Sequence, residues 1–76
     1  MDLYRPYDVT IHVNDLAKAD VILMEHWNRG DLDGLEGGRH WNSDGYYMVT
    51  FKIRPYIHED FETILNEFKE AGIQTF

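Results

Sequence analysis

The chain has 76 residues, no cysteine, and 14 acidic residues against seven Lys and Arg, a formal net charge of −7. That length makes one small domain of two layers around one core, burying only about 60–65% of the surface its unfolded chain exposes. The missing cysteines exclude disulfides and thiolate metal sites and suit a reducing cytoplasm. The charge argues against binding a phosphate backbone or an anionic membrane, both of which call for clustered Lys and Arg.

The start, Met1 to Pro6, has no basic segment followed by an apolar run and does not read as a signal peptide. The longest aliphatic run, Val21 to Met24, is far too short to cross a bilayer. The expectation is one soluble cytoplasmic domain over residues 1–76.

The first element is a strand over Tyr4–Val13, where Tyr7, Val9, Ile11 and Val13 alternate with Asp8, Thr10 and His12. Asn14 or Asp15 then caps a helix over Asp15–Asn28. Its expected buried stripe is Leu16, Ala19, Leu23 and Trp27, with Ala17 and Met24 beside it. Two residues misfit that stripe: Ile22 falls near the polar side and Asp20 falls inside the apolar one, where an unpaired carboxylate is costly.

Gly30 stops the helix. From Gly30 to Gly45 the chain carries five of its six glycines, which is loop composition. A short strand over Glu36–Trp41 and a turn at Asn42-Ser43-Asp44-Gly45, with Gly45 at positive φ, are expected within it. The turn leads into a strong strand, Tyr46–Arg54, where Tyr47, Val49, Phe51 and Ile53 alternate with Met48, Thr50 and Lys52. Pro55 ends that strand.

Ile57–Ala71 has the best helical pattern, with Ile57, Phe61, Ile64, Leu65 and Phe68 on one face and Glu59, Asp60 and Glu62 in the dipole-favoured first turns. Gly72 stops it, and Ile73–Phe76 is expected as a last short strand. The order β-α-β-β-α-β reads as an α+β two-layer split βαβ sandwich. It is similar to the ferredoxin-like fold in pattern alone, with an antiparallel sheet backed by two helices on one face. That pattern hosts many functions and selects none.

The sheet face away from the helices would carry Thr10, His12, Tyr46, Met48 and Thr50, a composition suited to association rather than plain solvation. Arg39 and Trp41 in the glycine-rich stretch are residue types common at binding hot spots. Asp31, Asp33, Glu36 and Asp44 of the same stretch, with Glu59, Asp60, Glu62, Glu67 and Glu70 of the second helix, form an acidic surface that can resemble a nucleic acid strand.

Catalytic motifs are absent: GxSxG, GxxxxGK[ST], GxGxxG and HExxH do not occur, and Ser43 is the sole serine. Asp31–Glu36 resembles a calcium loop only faintly, since a full loop needs a bidentate Glu where Asn42 stands. His12 and His40 would share the open face, with Asp8 to complete a metal site, only in one register of the second strand. No metal or cofactor is expected.

The leading expectation is a non-enzymatic, acidic protein-binding module whose partner has a basic surface. One form of it is a phage-encoded inhibitor that mimics nucleic acid at a host nucleic-acid enzyme. Direct contact with nucleic acid or membrane is not expected. The alternatives are a regulatory or small-ligand domain that dimerises through the open sheet face, and a small isomerase-like enzyme using His12.

Overall fold

Side-chain alternation along three strands decides which face of the sheet is covered. In the computed structural model, which describes residues 6–76 and Ser43 by its backbone alone, β1 spans Tyr7–His12, β2 Leu32–Ser43 and β3 Tyr46–Pro55. All pair antiparallel, in the order β1-β3-β2. A 3-10 turn at Val13–Asp15 links β1 to α1, Leu16–Asn28, and β3 leads to α2, His58–Glu70. Val9 and Ile11 of β1 lie beside Phe51 and Val49 of β3 on one face. They share the core with Ala19 and Leu23 of α1 and Ile64 and Phe68 of α2. The class is α+β, with both helices on that face.

The sheet has three strands among the described residues, not the four of the β-α-β-β-α-β expectation. Ile73–Phe76 forms no strand. Its Ile73 is buried in the core, and one backbone bond, from the Phe76 N–H to the Thr10 carbonyl (2.9 Å), ties the segment to the outer edge of β1. Of the first expected strand, Tyr4 and Arg5 lie outside the described residues.

The second correction concerns the glycine-rich stretch. It is a 12-residue strand rather than a loop with a short strand inside it. Two irregularities absorb its glycines, one between Leu32 and Gly34 and one between Glu36 and Arg39. In the second, Gly37 and Gly38 stand where one residue would, which is a bulge. The turn reads as expected: Ser43 pairs with Tyr46, and Asp44 (φ 52°) and Gly45 (φ 84°) between them are both left-handed, the pattern of a two-residue type I′ hairpin.

The third correction is the roll of α1. Ala19, Leu23 and His26 are buried, Asp20 and Trp27 are exposed, and Ile22 is packed against the core. At 100° per residue the buried stripe is rolled by about 60° from the Leu16–Trp27 line. That roll resolves both misfits, turning Asp20 to solvent and bringing Ile22 inward. It puts Trp27, at 44% exposure, outside the core where burial was expected, and buries His26 in its place. In α2, Ile57 precedes the helix and is exposed, while Ile64 and Phe68 are buried.

Both helices end in the same hydrogen-bond motif. Gly30 (φ 81°) donates to Trp27 O and Asp31 to His26 O; Gly72 (φ 80°) donates to Lys69 O and Ile73 to Phe68 O. This is the Schellman arrangement, which sets the residue after the glycine against the residue three before the cap. In α2 that pair is Phe68 and Ile73, both buried in the core. In α1 it is His26 and Asp31, a polar pair, and the local motif thus delivers a carboxylate to a buried imidazole.

Candidate functional site

The open face of the sheet is assembled by register. Asp8, Lys52 and Glu36 lie in one cross-strand row, Thr10, Thr50 and Arg39 in the next, and His12, Met48 and Trp41 in the third; Tyr46 opens the strand beyond them. The Gly37-Gly38 bulge sets this composition. Unbroken alternation from Glu36 would turn Arg39 and Trp41 to the covered face; two residues opposite one reverse the phase and turn both outward. The same shift places His40 opposite Val49, on the other face from His12. The proposed His12–His40 metal pair is therefore not formed, and no group of three or more metal-ligating side chains occurs among the described residues.

Trp41 lies across this face. Its indole Nε1–H donates to Thr50 Oγ1 (2.9 Å), and the Thr50 hydroxyl is in turn 2.9 Å from the Thr10 hydroxyl. The ring is 40% exposed. Met48, opposite Trp41 on β3, is only 5% exposed although it is no part of the core cluster between sheet and helices. It is covered from the open side.

Two hollows flank the indole. One, about 530 Å³, is lined by Arg39, Lys52, Asp8, Glu36 and Thr50 together with Trp41. It is polar and carries both signs of charge. The other, about 410 Å³, is lined by His12, Trp41, Tyr46, Met48 and Phe76, with Asp44 and Gln74. In it the His12 ring stands 5.6 Å from the Tyr46 ring and 4.8 Å from the Phe76 ring, edge-on to the latter at 79°.

The acidic candidates differ in exposure and in partners. Asp33, Glu36, Glu59 and Glu70 are exposed. Glu62 accepts from His58 Nε2 (3.1 Å), whose Nδ1 faces the Tyr7 hydroxyl (2.9 Å). Asp31 and Glu67 are engaged by His26. The Asp31 carboxylate is 2.9 Å from Nδ1, and the Glu67 carboxylate is 2.9 Å and 3.1 Å from Nε2. Arg29 Nη2 lies 3.1 Å and 3.2 Å from the two ring nitrogens. An in-plane approach at both distances would collide with Cε1, so the guanidinium sits over the ring face. Arg29 Nε is also 3.6 Å from Asp31.

The reading of the residues missed this cluster. His26 is the one buried polar side chain among the described residues, at 2% exposure, and it joins α1, the start of β2 and α2. The signal was the pair of misfits on α1: a stripe that excludes Asp20 and admits Ile22 also admits His26. Compared with protein families, with curated proteins and with solved structures, the chain matches none. Among the described residues no helix is long and apolar enough to cross a membrane.

Proposed function

We propose that this protein is a non-enzymatic protein-binding module and that its partner docks on the open face of the sheet. Trp41 carries the reading. An amphipathic ring is fixed across an uncovered sheet face by its bond to Thr50, with a hollow on either side and Arg39 two residues away on the same face. Trp and Arg dominate the energetics of protein interfaces, and a ring held in place before binding loses little entropy on docking. The net charge of −7 favours a partner with a basic surface through long-range attraction.

The finer form, a phage-encoded inhibitor that mimics nucleic acid, would use the other side of the molecule. The exposed carboxylates of α2 support it, though Glu67 is held by His26 and Glu62 faces His58.

Photo-crosslinkers at position 50 and at position 63, on α2, separate the two docking readings. Recovery of the same partner from position 50 and not from position 63 supports the sheet face. Recovery from position 63 alone overturns it in favour of the acidic helix.

A further inference from the structure

The second hollow of the open face has a composition that selects one kind of ligand. Its walls are aromatic: Trp41, Tyr46, Phe76 and the His12 imidazole, with Met48 as its floor. Its one carboxylate is Asp44, held at the rim by the type I′ turn. The Lys and Arg side chains of the open face, Arg39 and Lys52, line the other hollow, on the far side of the indole. Tyr46 and Phe76 are 63% and 59% exposed, so three large rings stand at the surface around a space with no Lys or Arg among its described lining residues. A soluble domain that merely needed to cover Met48 has no use for so much exposed aromatic area.

We infer that this hollow is an aromatic cage for an alkylammonium group, carried as a lysine or methylated lysine side chain on a basic segment of the partner. Aromatic faces present negative potential, and a cation desolvated among several of them is held more tightly than a neutral group of the same shape. Charge complementarity supports the sign. Asp44 is the one carboxylate among the described lining residues, and the protein as a whole carries −7. Trp41 is preset, because its Nε1–H is already spent on Thr50 while the ring lines the hollow. Tyr46 and Phe76 both stand beside His12, one from the hairpin and one from the segment bonded to β1.

This inference rests on the docking reading above, and its test has a separate outcome. A basic peptide bearing one trimethyllysine is titrated into the full chain and followed by NMR shifts of Trp41, Tyr46 and His12. Two comparison ligands are the same peptide with the neutral tert-butyl isostere and tetramethylammonium chloride. The expected result is binding of the cationic peptide about tenfold tighter than the isostere. Trp41→Ala and Tyr46→Ala should each abolish it, and Asp44→Asn, which keeps the left-handed turn accessible, should weaken it several-fold. Trp27→Ala, on α1 and away from the hollow, should leave it unchanged. Should Trp41→Ala fail to fold, Asp44→Asn and Tyr46→Ala still decide the matter.

Equal affinity for the isostere overturns the cation and leaves a plain apolar groove. Binding of tetramethylammonium as tightly as the trimethyllysine peptide overturns the protein source. No binding of any of the three overturns the cage, and crosslinking from position 50 would then still stand for the docking face.

Discussion

The two faces of the sheet are built from the same strands and put to opposite uses. On the covered face Val9, Ile11, Val49, Phe51 and Ile53 are all close to fully buried, and each is aliphatic or Phe. On the open face the same strands contribute Thr10, His12, Met48 and Thr50, with Trp41 and Arg39 from β2. The first set loses water on folding; the second, apart from the covered Met48, keeps more of its surface in solvent and has its largest ring fixed by one hydrogen bond. In so short a chain, stability resides in the first face, and the docking proposed above uses the second. Substitutions on the two faces should therefore separate cleanly in an unfolding experiment.

The largest effect belongs to the covered side. Phe68→Ala removes a fully buried ring from α2 and should cost about 3–5 kcal/mol in urea unfolding, enough to unfold much of so small a domain. Next comes the polar tie beneath the same helices. His26→Leu leaves the Asp31 and Glu67 carboxylates facing an apolar group and should cost about 2 kcal/mol. Adding Glu67→Gln should recover part of that loss, since it removes one of the two stranded charges. An additive double variant would show that the imidazole and Glu67 are not coupled.

Gly45→Ala should cost about 1 kcal/mol, because φ 84° suits glycine and strains a residue with a Cβ. The smallest effect belongs to the open face. Thr50→Val breaks the Trp41 bond and should shift stability by less than about 1 kcal/mol, while changing the fluorescence of the freed indole. A loss on the scale of the Phe68 variant would place Thr50 in the core and erase the contrast between the faces.

The strands with strict alternation were legible in the sequence, because period-two burial depends on local pattern alone. So was the hairpin, since Asp44-Gly45 fills both left-handed positions of its turn. The length of β2 was not legible. Glycines signal a loop unless a partner strand is known to pair across them, and the bulge at Gly37-Gly38 is visible only as register against β3. The orientation of Trp41 and Arg39 depends on that bulge, and so the two hollows escaped a reading of residues alone. The roll of α1 failed for a different reason. A tryptophan outranks a histidine on any hydropathy scale, yet burial of His26 is allowed by two carboxylates, one supplied by the helix end and one by α2. Asp20 pairs with no side chain among the described residues, and it faces water.

A nuclear Overhauser spectrum of the Trp41 indole shows directly which side of the sheet the ring occupies. The arrangement described here predicts cross-peaks to the Thr50 and Met48 methyls and none to the methyls of Leu23 or Ile64. Cross-peaks from the indole to those helix methyls would put Trp41 between the layers, and no free recognition face would remain.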